Sequence, residues 1–110
     1  MSELSGYRVM WIMAMFDLPV GTKAERKAAT RFRNGLLDEG FEMCQFSVYV
    51  RFCAGKEQAA GYARRIRSLL PITGSVQIFH FTDKQFANAL RFEGKTPSLA
   101  KKKPDQLVLI

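Results

Sequence analysis

The sequence predicts an α+β domain in which two helices pack on one antiparallel sheet. Three observations support this class. A continuous apolar run near the amino end indicates a strand buried on both faces, two later segments read as further strands, and the two segments between have the spacing of amphipathic helices. A chain of 110 residues is long enough for one domain with a single core and too short for two.

The first predicted element is the apolar run from Val9 to Phe16, which contains Trp11 and two β-branched residues. These residue types favour a strand over a helix, and the run is too short for a bilayer, which takes roughly 20 apolar residues. Asp17 follows directly, and Leu18-Pro19 ends the strand. The pattern therefore predicts a central strand whose carboxyl end carries a carboxylate into a loop.

A basic amphipathic helix is predicted next. Thr22 and Glu25 have the spacing of a capping box, and Gly40 suits the turn that ends the helix. The basic side is open to two interpretations: a solvated face, or a phosphate-binding surface beside the Asp17 loop and the positive end of the helix dipole. The predicted apolar stripe is Ala24, Ala28, Phe32 and Leu36, flanked by Ala29 and Leu37, and the basic residues are Lys23, Arg26, Lys27, Arg31 and Arg33.

Residues 41–52 predict two strands separated by a bend near Cys44. An exposed Tyr49 beside the Arg51 guanidinium would suit stacking on a base or contact with phosphate. Packing of Tyr49 against a neighbouring subunit or sheet is an equally good interpretation. Alternation assigns Phe46, Val48, Val50 and Phe52 to the core face and Gln45, Ser47, Tyr49 and Arg51 to a wet face.

The second half of the chain predicts a helix from about Lys56 to Leu70, ended by Pro71, and then a strand over residues 75–81. A short helical segment is predicted from Thr82 through Leu90. The inward residues of the longer helix are predicted to be Ala59, Ala63, Ile66 and Leu70, with Tyr62 and Leu69 beside them.

Neither the histidine nor the cysteines form a recognisable motif. His80 has no neighbouring acid or nucleophile in the sequence, which favours a structural role over catalysis. The spacing of Cys44 and Cys53 fits neither a zinc pair nor a redox motif, so both are expected to be buried free thiols in a reducing compartment.

The element order β α β β α β is the ferredoxin-like arrangement, with the first and third strands central and both helices on one face. We expect this domain to cover residues 1–92, followed by a flexible basic linker over 93–104 and a strand over 105–110 that pairs with a second copy. The sheet is too apolar for its second face to be open to water. A homodimer packed sheet to sheet is therefore predicted.

Charge indicates the class of partner. Lys and Arg number 17 against 10 Asp and Glu, for a net charge of +7. Such an excess favours a nucleic acid, whose phosphates release counterions when cations bind. No segment is both basic and strongly amphipathic, so a membrane surface is not expected. The amino end lacks the features of a signal peptide, so a cytoplasmic location is expected.

A resemblance rests on an ordered set of features. These are Phe16-Asp17 after the apolar strand, the basic helix, Gly40-Phe41, the run QFSVY at 45–49, the run TDKQF at 82–86 and a short final strand. In this order they resemble the small CRISPR-associated adaptation protein, the companion of the CRISPR integrase, in the branch found with single-effector systems. The likeness spans residues 7–110.

The resemblance implies a homodimer that takes part in spacer acquisition, binds DNA, or RNA, and supports the CRISPR integrase. It also implies a metal-dependent endonuclease in which Asp17 and its mate from the other subunit bind Mg²⁺, with Mn²⁺ as the alternative ion. Tyr49 is tied to activity in some relatives, and Phe16 stands where many have Tyr. One acid per subunit predicts weak or gated hydrolysis.

Two further sets of residues belong to this hypothesis. Lys23, Arg26, Lys27, Arg31, Arg33 and Arg51 are the candidates for nucleic-acid binding, and Leu107, Val108, Leu109 and Ile110 are the candidates for bracing the dimer and contacting the integrase. The alternative hypothesis is a ferredoxin-like RNA-binding module or toxin-type endoribonuclease outside CRISPR.

Overall fold

The computed structural model describes residues 10–94 and the backbone of residues 96–98. Strands and helices follow the predicted order, including the predicted short helix after the fourth strand of the sheet, and a two-stranded hairpin comes after it. The elements are β1 (Met10–Asp17), α1 (Lys23–Asp38), β2 (Glu42–Gln45), β3 (Val48–Cys53), α2 (Lys56–Leu69), β4 (Ser75–Thr82), α3 (Asp83–Ala87), β5 (Arg91–Glu93) and β6 (Thr96–Ser98).

The main sheet has four strands in the order β2-β3-β1-β4, and each neighbouring pair is antiparallel. The first and third strands are central, which confirms the ferredoxin-like prediction. Strand β1 pairs with β4 along its whole length, from Met10 opposite Thr82 to Asp17 opposite Ser75. Strand β1 is therefore hydrogen-bonded on both sides, as its continuous apolar sequence predicts.

The larger core lies between the sheet and the two long helices. Alternate residues of β1, including Ile12, Ala14 and Phe16, pack against Phe32 of α1 and Ile66 of α2. Both amphipathic helices are confirmed, but three residues predicted to point inward or to flank the stripes are exposed, because each helix buries a narrower face than its apolar pattern suggests. These residues are Ala24, Leu37 and Leu70.

Two local predictions are confirmed in detail. The Thr22 hydroxyl accepts the Glu25 N–H at 3.1 Å, and the Glu25 carboxylate accepts the Thr22 N–H at 2.9 Å, which completes the capping box of α1. The pairing of β2 with β3 shifts register between Met43 and Gln45. This shift is the predicted bend near Cys44.

The second face of the sheet is covered in part by α3. A second capping box between Thr82 and Gln85 starts this helix at the end of β4, and the helix ends at Ala87 rather than at Leu90. Its Phe86 packs with Trp11 and Val50 in a separate buried cluster. Elsewhere on this face Met15 and Phe79 are each 40% exposed, so α3 leaves part of it open.

The chain beyond the main domain begins with a hairpin. Strands β5 and β6 pair at the start of the segment predicted to be a linker. The rest of that segment and the predicted strand 105–110 lie outside the described residues, so the roles of Leu107, Val108, Leu109 and Ile110 stay predictions. None of the helices in the described part of the chain is long and apolar enough to cross a membrane.

Candidate nucleic-acid and metal site

Asp17 is the last residue of β1 and is exposed. The alternation of the strand places it on the same face of the sheet as Met13 and Met15, opposite the face that the long helices cover. Its carboxylate forms no hydrogen bond or ion pair with another residue that the structure describes. The carboxylate is therefore available to a ligand on the partly open face.

Two tight turns hold the backbone around Asp17. Ser47 has a φ of 63°, and its carbonyl accepts the Phe16 N–H at 3.0 Å. Gly74 has a φ of 100°, and a Cβ at this position would lie 2.7 Å from Leu18 Cδ2 and 3.0 Å from the Asp17 carbonyl oxygen. Glycine is required at position 74 because both the conformation and the close approach exclude a side chain. These contacts hold the backbone at the end of β1 in one conformation.

Tyr49 lies on the opposite side from the one that the sequence predicted. It is 4% exposed and belongs to the core under the long helices, with its ring 5.6 Å from that of Phe16. The assignment of Tyr49 to a wet face was wrong, because both faces of the sheet are covered over β3. Phe16 shares this core, so it lies on the face opposite Asp17. A role of Tyr49 in activity stays a prediction. The buried position of its ring beside Phe16 suits a structural role, in which Tyr49 packs against β1 and supports it.

Four of the predicted basic residues are brought together along α1. Lys23, Arg26, Lys27 and Arg31 line an open groove of 750 Å³ that also contains Thr30. Arg26 reaches back to the loop after Asp17, where its guanidinium donates to Val20 O at 3.2 Å. The groove therefore starts beside the loop that follows Asp17, as the order of the elements predicts.

Two of the predicted basic residues lie elsewhere. Arg33 is half-buried and donates to the Thr30 hydroxyl at 3.2 Å. Arg51 was predicted to be on the wet face, but it donates to Glu39 O at 2.9 Å and lies 4.1 Å from the centre of the Tyr62 ring. The Arg51 guanidinium is therefore engaged by internal partners and does not belong to the basic surface along α1. The binding roles of the whole set stay predictions.

The described side chains provide only part of the ligand set that a metal ion needs. The described residues contain no group of three or more His, Cys, Asp or Glu side chains that could hold an ion. Asp17 therefore offers one carboxylate, and Mg²⁺ prefers several oxygen ligands. A second copy of Asp17 is the simplest source of another. His80 is exposed on β4. Cys53 is a buried free thiol, as predicted, whereas Cys44 is a free thiol that is only half-buried.

Sequence reasoning missed one exposed aromatic residue. Phe46 was assigned to the core face of a strand, but its side chain is 90% exposed because Phe46 and Ser47 form the turn between β2 and β3. The available signal was Ser47, since serine is common in turns that join short strands.

Comparison with known proteins identifies the family. Residues 10–89 match the family model described as "CRISPR associated protein Cas2". A protein of Paracidovorax avenae named CRISPR-associated endoribonuclease Cas2 is 57% identical over 106 residues, which cover 96% of this chain and 98% of that protein. A Flavobacterium psychrophilum protein of the same name is 47% identical over 108 residues, covering 98% of this chain and 94% of the relative. On these matches, added to the fold and the acid at the end of its first strand, the chain belongs to the CRISPR-associated Cas2 family.

Proposed function

We propose that this chain forms a homodimeric, metal-dependent endoribonuclease of CRISPR adaptation, to which each copy contributes Asp17. The observation that carries the proposal is an exposed carboxylate at the end of the central strand, in a chain whose relatives are named endoribonucleases. When bound, Mg²⁺ would neutralise charge on a phosphodiester and acidify a water molecule. Membership of the Cas2 family disfavours the alternative of a toxin-type module outside CRISPR.

The open part of the sheet is the proposed dimer surface. Met15 and Phe79 are each 40% exposed there, and Asp17 lies on the same face. An apolar surface of this kind is stabilised when a second copy covers it, and a two-fold axis brings the same residues of both copies together. If the two copies pack together at the end of the sheet that carries Asp17, two carboxylates would lie near one ion. The dimer would then supply the second carboxylate that a single copy lacks.

The groove along α1 is the proposed phosphate-binding surface. Its four cations, Lys23, Arg26, Lys27 and Arg31, lie on one helix. Contacts of this kind position a nucleic acid backbone without reading its sequence. The same surface supports a second candidate function, in which the dimer carries DNA for the CRISPR integrase. This candidate is favoured by the net charge of +7, because positive charge over the surface suits the binding of DNA phosphates and is not needed for hydrolysis at a single carboxylate.

The decisive experiment compares Asp17→Asn with the wild type on single-stranded RNA and duplex DNA, with Mg²⁺ or with EDTA. The substitution keeps the shape of the side chain and removes its charge. We expect RNA cleavage by the wild type only with Mg²⁺, and a loss of at least about tenfold in the variant, which corresponds to about 1.4 kcal/mol of activation free energy.

The matched control is Glu57→Gln, which removes one exposed negative charge from the first turn of α2 and should leave cleavage unchanged. Equal cleavage by the wild type and Asp17→Asn would mean that the nuclease is a contaminant. Light scattering should find a dimer at the assay concentration. A stable monomer of 12.5 kDa would overturn the shared metal site.

A further inference from the structure

The direction of the Asp17 carboxylate is set by the backbone alone. The carboxylate is exposed, and no side chain in the described part of the protein holds it through a hydrogen bond or an ion pair. Its direction therefore depends on the main chain on either side of Asp17. A ligand group has to be held to within about 0.5 Å of its productive position, so the contacts that hold this main chain control how well the carboxylate can bind an ion.

Gly74 lies against the main chain that follows Asp17. It precedes Ser75, the first residue of β4, which pairs with Asp17. A Cβ at position 74 would lie 3.0 Å from the Asp17 carbonyl oxygen, 3.2 Å from Leu18 Cα and 2.7 Å from Leu18 Cδ2. Two of these three atoms belong to the backbone, and the Leu18 side chain packs against the larger core. None of the three can give way by rotation of a free side chain.

These contacts act on the peptide unit that joins Asp17 to Leu18. Asp17 Cα, the Asp17 carbonyl group and Leu18 Cα lie in one rigid plane, so a group that pushes on the carbonyl oxygen and on Leu18 Cα rotates the whole unit. The Asp17 side chain projects from the first Cα of this plane and turns with it. On the other side of Asp17, the Phe16 N–H donates to the Ser47 carbonyl at 3.0 Å and holds the preceding backbone in place.

A two-fold axis increases the effect of such a rotation. The proposed metal site takes one Asp17 carboxylate from each copy, and symmetry displaces both carboxylates together. Their separation therefore changes by up to twice the displacement within one copy. Mg²⁺ requires oxygen ligands at about 2.1 Å in near-ideal octahedral geometry, so a small displacement of each carboxylate is enough to weaken the binding of a shared ion.

We propose that Gly74 is a positioning residue for the metal site, because it keeps the loop before β4 close to Asp17 without displacing the carboxylate. The inference rests on the proposed function, since it assumes an ion shared by two copies of Asp17, and it adds a residue that controls the affinity for that ion. Gly74 has no side chain with which to bind a ligand, so it acts only through the backbone of Asp17. Its φ of 100° also favours glycine, which adopts this conformation at no steric cost.

The test measures Mn²⁺ binding by calorimetry without nucleic acid, so that it is independent of cleavage. We expect Gly74→Ala to bind Mn²⁺ at least about tenfold more weakly than the wild type, as is typical when groups that orient metal ligands are changed. The matched control is Gly94→Ala. Gly94 also has a positive φ, of 64°, but a Cβ there would meet no described atom within 4 Å. This control has the conformational strain without the contact and should bind Mn²⁺ as the wild type does.

Two further measurements separate positioning from loss of the fold. Asparagine tolerates a positive φ better than alanine does, and Gly74→Asn should weaken Mn²⁺ binding equally because its Cβ meets the same atoms. Nuclear magnetic resonance without metal follows the amide and carboxyl signals of Asp17 directly. These signals should move in Gly74→Ala, while the rest of the spectrum keeps the dispersion of a folded protein, and they should stay in place in Gly94→Ala.

Unchanged Asp17 signals in the Gly74 variants would overturn the proposal. So would a Mn²⁺ affinity equal to that of the wild type, equal losses in Gly74→Ala and Gly94→Ala, or loss of the folded spectrum in both Gly74 variants, which would mean that Gly74 serves the fold as a whole. Equal Mn²⁺ binding by the wild type and Asp17→Asn would overturn the metal site of the proposed function instead. In that case the Asp17 signals alone decide whether Gly74 positions the carboxylate, so the two proposals can fail separately.

Discussion

At the residue scale, the Cys53 thiol shows how burial controls an ionisable group in this core. Its side chain is 0% exposed, and its Sγ donates to Arg51 O at 3.8 Å. Burial raises the pKa of the thiol because the thiolate would lose its hydration, and the nearby Arg51 guanidinium acts in the opposite direction. The folded protein therefore holds this proton more tightly than the unfolded chain does.

We predict that Cys53 makes the free energy of unfolding fall as the pH rises above the ordinary thiol pKa. In that range the unfolded chain releases a proton that the folded chain keeps, so rising pH favours unfolding. The contribution is fully present below the unfolded pKa and is lost as the pH rises through the folded pKa. Urea unfolding between about pH 7 and pH 10 measures the slope, which should be shallower in Cys53→Ala.

A cavity in place of the thiol will lower the stability of Cys53→Ala at every pH, so the comparison concerns the slope alone. Cys44→Ala is the matched control, because it removes the other thiol, which is only half-buried. If this control flattens the slope as much as Cys53→Ala, burial of Cys53 is not the cause.

Residues of β3 also show what the sequence could not predict, namely which side of a strand faces the long helices. Alternation correctly separates Tyr49 and Arg51 from Val48 and Val50, but it does not say which set faces the long helices. Here both faces are covered, so Val50 and Tyr49 are both buried. Arg51 enters the helix side because the Glu39 carbonyl and the Tyr62 ring provide partners for its guanidinium. Neither partner has a local signature in the sequence.

At the element scale, α3 acts as a cover for one end of the sheet. The ring of Phe86 stacks on Trp11 at 4.2 Å, and the Trp11 indole N–H donates to the Asp83 carboxylate at 3.0 Å. These contacts bury Trp11 to 1% exposure. The remaining open surface is therefore the end of the face that carries Asp17, which suits the proposed arrangement of the dimer.

We predict that Phe86→Ala uncovers Trp11 and destabilises the fold. A Phe to Ala change at a buried site removes about 3 kcal/mol of stability. Trp11 is the only tryptophan in the chain, so its fluorescence emission reports directly on the cover and should move to longer wavelength. Chemical denaturation with fluorescence detection measures both effects.

Phe92→Ala is the matched control, since Phe92 is 59% exposed in β5 and its loss should change stability little. An unchanged emission maximum in Phe86→Ala would contradict the role of α3 as a cover.

The elements themselves were largely predictable, because each has a strong local signal. The apolar run defines β1, helical spacing defines α1 and α2, and Thr22 with Glu25 starts α1 by its capping box. The cover provided by α3 was not predicted. A helix of five residues is too short to show a periodic apolar face, so only its capping residue was visible in the sequence, and its packing on Trp11 depends on tertiary structure.

At the scale of the whole molecule, the cations that give the net charge of +7 do not all lie on one surface. Charge alone indicated a polyanionic partner, but a count of residues does not show which cations share a surface. The fold places Lys23, Arg26, Lys27 and Arg31 in one groove, while Arg51 is directed inward. Specific phosphate contacts are therefore expected along α1 rather than over the whole surface.

We predict that the groove determines the salt dependence of nucleic-acid binding. Each phosphate contact contributes about 0.9 to the slope of log K against log salt concentration for duplex DNA. The double variant Lys27→Gln/Arg31→Gln should lower that slope by about 0.9 for every contact it removes, and Arg64→Gln/Arg67→Gln, which removes the same charge from exposed positions on α2, should lower it less. Titrations at several salt concentrations measure both slopes. Equal losses from the two pairs would mean that diffuse net charge, and not the groove along α1, holds the nucleic acid.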